Sequence, residues 1–179
     1  MDLRVAPPKL EKIISPYLLH FLKSYSTTLS FDNQVLDLGS GKWRHANFMH
    51  RIGFKKITCI DRYTFPNQPD YITYIEHNLE NKMHFIDNKF DIIIATFLFM
   101  FIKNRRGLID EITRLSNHNS YLICTLNNKK TSTYRPALSF GNSTNSEDII
   151  ALLDPTFWII LHKNKDSFIA QRREGLTNG

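Results

Sequence analysis

Cysteine is scarce in this chain of 179 residues, which has two, Cys59 and Cys124. Each sits inside an apolar stretch, and their spacing matches neither a metal-binding nor a redox pair. A disulfide framework and a cysteine-based metal site are therefore excluded, and no metal is expected. Long apolar runs are also lacking. The longest, Ile92 to Ile102, is about half of the roughly 20 residues that a bilayer span requires, so no membrane partner is expected. The opening "MDLRVAPPKL" has no apolar core behind a basic head. A signal peptide is thus not expected, and the cytoplasm is the expected compartment. No low-complexity tract, internal repeat or long linker interrupts a chain of one domain's length.

Charge is plentiful but uneven. The net charge is +6, with basic residues concentrated from Lys42 to Arg62 and Lys103 to Arg135, and acidic ones from Asp70 to Asp91 and Glu147 to Asp154. Such asymmetry suits a nucleic-acid or acidic-substrate face. A solvated surface rich in Lys and Asn is the simpler account.

Apolar patterning predicts alternating strands and helices. Ser15-Pro16 reads as an N-cap followed by Pro at N1, opening an amphipathic helix through Tyr17, Leu18, Phe21, Leu22 and Tyr25. "QVLDL" (34–38), "KITCID" (56–61), "YITYIEHNL" (71–79), "FDIIIATFLF" (90–99) and "SYLICTLN" (120–127) read as strands. Helices are expected over Trp43 to Ile52, with Gly53 as a left-handed cap, over 105–115, and after Ser146 as cap. "FWIILHKNKDSFIAQRR" reads as two antiparallel strands around the turn Asn164 to Asp166. Strands that are apolar throughout and separated by helices predict an α/β fold with a mostly parallel, doubly wound sheet in three α/β/α layers. Pro66 and Pro69 leave no room for a helix between Asp61 and Tyr71, so one side of the sheet should be thinly covered.

In such a sheet the ligand lies beyond the carboxyl ends of the strands, at the switch point. "VLDLGSGKWRHANF" (35–48) belongs there. Gly39 and Gly41 remove side chains that would block the backbone and tolerate positive φ. Amides at the start of the following helix face an anionic group. Asp61, 22 residues after Gly39, ends the next strand, where a carboxylate accepts both ribose hydroxyls. A Walker loop is absent. The dinucleotide pattern Gly-x-Gly-x-x-Gly fails at Arg44, whose bulk prevents close helix–strand packing. Asp37, two residues before Gly39, stands where dinucleotide binders keep an apolar residue. A carboxylate there suits a cationic amine such as that of the methionine part of S-adenosylmethionine.

At these residues the sequence resembles the class I, Rossmann-like S-adenosylmethionine-dependent methyltransferases. "VLDLGSGKWRHA" is similar to their motif I, "TCIDR" to their second motif, "HNLENKMHFIDNKFDIIIATFLFMFI" to the approach to their fourth strand, and "RGLIDEITRLSNHNSYLICTLN" to the helix and strand after it. The resemblance spans about residues 34–173 and implies seven strands with an antiparallel terminal strand. It divides the chain into an N-terminal helical segment serving as a substrate lid (1–33), a cofactor-binding domain (34–173) and a tail (174–179). It implies S-adenosylmethionine as cofactor. Asp37 would face the methionine amine, Gly39 and Gly41 would border methionine and ribose, and Asp61 would bind the ribose. Arg62, Asn78 and Leu79 would lie by the adenine, and Thr96 below the methyl group. Trp43 departs from the pattern by replacing the usual third glycine.

The acceptor is less legible. No Asp/Asn-Pro-Pro-Tyr/Phe follows the fourth strand, where "ATFLFM" stands instead, and Cys124 lies inside the fifth strand. Base-amine methylation of that type and cysteine attack on a pyrimidine are therefore not expected. "FLFMFI" suits an apolar pocket built with the N-terminal helix and loop 127–145. His45, Thr96 and Tyr134 are the catalytic candidates, with His77 and Arg135 further candidates on the substrate side. Methyl transfer to oxygen or nitrogen of a small molecule leads. An RNA methyltransferase using Lys42, Lys55, Lys56, Arg105, Arg106, Lys129, Lys130 and Arg135 is the second reading, and a degenerate methyltransferase-like binding or regulatory module the third.

Overall fold

The computed structural model describes residues 14–84, 86–87, 89–126 and 144–174. Seven strands, β1 (Gln34–Leu38), β2 (Lys56–Asp61), β3 (Ile72–Glu76), β4 (Phe90–Thr96), β5 (Ser116–Thr125), β6 (Trp158–Asn164) and β7 (Ser167–Arg172), form one sheet in the order β3-β2-β1-β4-β5-β7-β6. The first five pair in parallel, while β7 runs antiparallel to both β5 and β6. The sequence expectation of a Rossmann-like, mostly parallel sheet with an antiparallel terminal strand is what the chain adopts. The winding reverses between β1 and β4, so the crevice at their carboxyl ends is the ligand position of an open α/β sheet.

Strand alternation divides the core between the two faces. Helices α1 (Pro16–Ser24) and α2 (Arg44–Arg51) cover one face, packing Leu18, Phe21, Phe48 and Met49 against Val35, Ile57, Ile94 and Ile123. On the other face, α3 (Arg105–Leu115) and α4 (Ser146–Ile150) cover Leu36, Leu38, Ile93 and Leu122. Both faces of the central strands are thus dry, which explains their unbroken apolar sequence. The β2–β3 link contains no helix, and β3 has a single buried residue, Ile72, in keeping with the thin cover that Pro66 and Pro69 implied.

Several boundaries differ from the pattern reading: β3 already ends at Glu76, and β5 begins at Ser116. Trp43 is not the first helical residue of α2 but its N-cap, in the left-handed region at φ 56°. Asn145, not Ser146, caps α4, because its side chain accepts from the Asp148 amide while the Asp148 carboxylate accepts from the Asn145 amide. The apolar run after β4 leaves the sheet at Phe97, also left-handed at φ 57°, and coils into a short 3-10 turn, Phe99–Phe101. No helix among the described residues is long and apolar enough to cross a membrane.

Candidate functional site

The glycine loop is tied to the end of β2. Gly39 N–H and Ser40 N–H both donate to Ile60 O, at 2.8 and 3.2 Å. Gly41 N–H donates to Asp61 Oδ2 at 2.8 Å, and Tyr63 N–H donates to Asp61 Oδ1 at 3.1 Å. Asp61 therefore shapes the loop, yet each carboxylate oxygen keeps lone-pair capacity for further donors. Gly39, Gly41 and Trp43 all have positive φ, at 67°, 53° and 56°. A Cβ on Gly39 would meet Leu98 Cδ1 at 3.0 Å, whereas one on Gly41 would meet nothing within 4 Å. The loop is closed beneath Gly39 and open above Gly41.

Asp37 is the penultimate residue of β1, two positions before Gly39. Its side chain is 1% exposed, and neither carboxylate oxygen has a hydrogen-bond partner. Burial pushes its pKa up to about 7; the nearby Ala46 amide and the Arg44 guanidinium pull it down, and Asp61 adds repulsion. A buried acceptor without partners is costly, and it fits a cationic group supplied by a ligand. Ser40 Oγ and Trp43 Nε1 are likewise buried without partners. No side chain caps the N-terminus of α2. Trp43 is 6% exposed and meets Phe65 and Tyr74 edge-on at 6.0 and 6.1 Å, so its indole packs in the core and does not hang over the loop.

His45, the second residue of α2, is locked in place. Ser15 N–H donates to its Nε2 at 3.4 Å, so Nδ1 carries the proton and donates to Thr96 Oγ1 at 3.0 Å. Ser15 Oγ also lies 2.6 Å from Thr125 Oγ1. Burial, reinforced by Arg44, holds the imidazole down at about 3, and the ring is 3% exposed. His45 and Thr96, two of the catalytic candidates, meet in a bridge that fastens the cap of α1 to the ends of β4 and β5. Ser15 and Thr125 escaped sequence reasoning, because nothing local marks a contact across 110 residues.

The other candidates scatter by degree. Arg62 is exposed, with its guanidinium 5.6 Å from the Tyr63 ring. Asn78 forms a turn in which its Oδ1 accepts from Glu80 N–H at 3.2 Å, and Leu79 is buried in the core. His77 N–H continues the β2 ladder to Asp61 O at 2.8 Å. The basic residues do not share one face. Lys42 lies in the glycine loop, whereas Lys55 and Lys56 stand at the amino end of β2, the opposite edge of the sheet. Arg105 Nε donates to Phe99 O and Arg106 to Leu152 O. Lys129, Lys130, Tyr134 and Arg135 lie outside the described residues. Among the described residues no cluster of His, Cys, Asp and Glu could hold a metal ion.

Known proteins share this architecture. The chain is similar to TehB from Haemophilus influenzae (TM-score 0.61, 18% identity, 90% of this chain and 63% of that one). It is also similar to the [4+2]-cyclase SpnF (0.62, 18%, 81% and 57%). A third likeness is to an S-adenosylmethionine-dependent methyltransferase from Methanosarcina mazei (0.64, 16%, 90% and 99%). The chain thus spans less than two thirds of the length of TehB and of SpnF. At these identities the likeness is one of fold. No curated protein matches the sequence significantly. Residues 36–124, from the middle of β1 to the end of β5, match the methyltransferase domain family. With the motif order and the sheet order, this match identifies residues 36–124 as a methyltransferase domain of the class I, Rossmann-like S-adenosylmethionine-dependent family.

Proposed function

We propose that the chain transfers a methyl group from S-adenosylmethionine to oxygen or nitrogen of a small-molecule acceptor. The observation that carries this reading is Asp37, a fully buried carboxylate whose oxygens have no hydrogen-bond partner, on the strand that leads into the glycine loop. These residues fit the cofactor's methionine end, where Asp37 would hold the ammonium and the two glycines would let the backbone approach. Asp61 retains acceptor capacity for the ribose hydroxyls, while Arg62 and Asn78 would border the adenine, with Leu79 packed in the core behind them. The cofactor supplies a methyl group already activated by its sulfonium.

The chain's own contribution is then alignment and exclusion of water. Thr96, held by His45, would form the floor beneath the methyl group, with Phe97 and Leu98 as apolar walls. Ser15 at the head of α1 fastens residues 14–24 across the ends of β4 and β5, which supports a lid role for the N-terminal segment. His45 in this bridge cannot accept a proton at Nε2 without losing the Ser15 amide, so a general base, where the acceptor's pKa demands one, lies elsewhere. An RNA acceptor has less support, because Lys55 and Lys56 face away from the cofactor end.

A fold shared with a cyclase does not dictate methyl transfer, so the test must read both binding and transfer. Calorimetry with S-adenosylmethionine and S-adenosylhomocysteine should show binding of both. Incubating the chain and a methyl-labelled cofactor with cell extract should place the label in the small-molecule fraction. Label in RNA would overturn the acceptor class, and no binding at millimolar cofactor would overturn the reading.

A further inference from the structure

Two histidine contacts hold α1 against the rest of the domain. At its head, Ser15 N–H donates to His45 Nε2 at 3.4 Å, and Ser15 Oγ lies 2.6 Å from Thr125 Oγ1. One turn into the helix, the His20 ring meets the His162 ring of β6 edge-on, with centroids 4.8 Å apart. Tyr17 lies 6.1 Å from His20 and Tyr25 6.4 Å from His162, so phenols flank this second contact. The first contact is buried, and the second is exposed.

Both contacts depend on neutral imidazoles. His45 accepts at Nε2 and donates from Nδ1 to Thr96 Oγ1 at 3.0 Å. A proton on Nε2 turns that acceptor into a donor facing the Ser15 amide, itself a donor. It also charges a ring that is 3% exposed and follows Arg44. The groups packed about this ring are Ser15 of α1, the hydroxyls of Thr96 on β4 and Thr125 on β5, and the Asp37 carboxyl of β1 by the Ala46 amide. Among the described residues no carboxylate pairs with it. At the outer contact, two protonated rings carry like charges. Lys23 and Lys163, on the same two elements, have that sign as well, and Lys163 is paired with Glu147 of α4.

We propose that α1 is a strap released by protons, clasped at its head by His45 and along its length by His20 against His162. Leu18, Phe21 and Leu22 remain its main anchor, so protons set how often the strap opens and leave the sheet folded. In the open strap His45 faces water and regains the ordinary imidazole affinity, near 6.5. Docking is therefore strongest above that value and weakens as pH falls from about 6.5 towards 3. This inference stands independently of the cofactor reading. Opening uncovers Thr96 and Thr125 at the carboxyl ends of β4 and β5, the side on which that reading brings in the acceptor.

Amide hydrogen exchange of the full chain at about pH 5 and about pH 7, either side of the ordinary imidazole value, reads the opening of residues 19–24 once intrinsic rates are removed. Opening should be at least tenfold more frequent at the lower pH, with protection in β4 and β5 retained. His45→Gln should lose most of that pH dependence, and adding His20→Gln should remove the remainder. Nitrogen NMR of the wild-type imidazoles gives a check that needs no variant. His45 should carry its proton on Nδ1 at the higher pH and take up a second one in step with the loss of α1 protection. Equal opening at both pH values, or equal loss of protection across the sheet, would overturn the proposal. So would a pH dependence that survives in the double variant, or a His45 that protonates while α1 stays protected.

Discussion

Trp43 combines the backbone of a glycine with the side chain of a core residue. Its left-handed conformation costs a non-glycine about 1–2 kcal/mol, while truncating a well-buried Trp costs about 3–5 kcal/mol. Burial is the larger effect, so Trp43→Gly should destabilise the chain by about 1–4 kcal/mol. A lower urea midpoint at unchanged m-value would register this, and a higher midpoint would mean that strain outweighs packing. Asp37 and His45, on the two elements that flank the glycine loop, are shifted in opposite senses. Burial lifts Asp37 to about 7, so between its ordinary value and 7 the folded chain holds the extra proton, and stability falls as pH rises through that window. Burial holds His45 down at about 3, so between 6.5 and 3 the unfolded chain holds the extra proton, and stability falls as pH drops. The two slopes oppose each other between about pH 4 and 6.5. Asp37→Asn should therefore gain stability as pH rises across that range, and His45→Gln should lose it. Urea titrations of both variants at the two ends of the range check this, and slopes of the same sign would refute it.

Helix α1 illustrates how an element acquires a role beyond its own hydrogen bonds. Ser15 caps it locally, its hydroxyl accepting from Tyr17 N–H at 3.3 Å, while Pro16 sets the first turn. The same hydroxyl meets Thr125 on β5, so one residue both starts the helix and docks it. Ser15→Ala should cost about 1 kcal/mol for the cap and about 1–3 kcal/mol for the Thr125 hydroxyl left without its partner. Hydrogen exchange should show this as faster exchange across Leu18 to Ser24, with protection in β4 and β5 retained. Unchanged protection in α1 would show that its apolar face alone holds it down. Asn145 teaches a related lesson in α4, since an Asn followed three residues later by an Asp marks the cap more strongly than the Ser beside it.

At the scale of the whole molecule, sheet order keeps the two thiols apart. Cys59 on β2 and Cys124 on β5 are separated by β1 and β4, three inter-strand steps or about 14 Å, twice the roughly 7 Å reach of a disulfide. They also belong to opposite faces, and both are free. Burial pushes both thiols well above their ordinary range. Neither should react with an aromatic disulfide reagent in the native protein, and both should react in step with global unfolding in urea. Fast reaction of one thiol without denaturant would reveal local opening of its strand.

Local pattern carried most of the architecture. The bounds of β1 and β2, the helix over 105–115 and the terminal hairpin read directly from apolar runs and turn residues, because each depends on neighbours within a few positions. The pair of glycines and the acids Asp37 and Asp61 marked the candidate site for the same reason. Tertiary structure alone decided what those residues experience. Desolvation and the Arg44 guanidinium set the proton affinity of Asp37, and a serine 30 positions away sets the tautomer of His45. The separation of Lys55 and Lys56 from Lys42 arises because they occupy opposite ends of the sheet, although all three lie within one basic stretch of sequence. Proximity in sequence governs backbone conformation, whereas burial and charge depend on whatever the fold packs alongside.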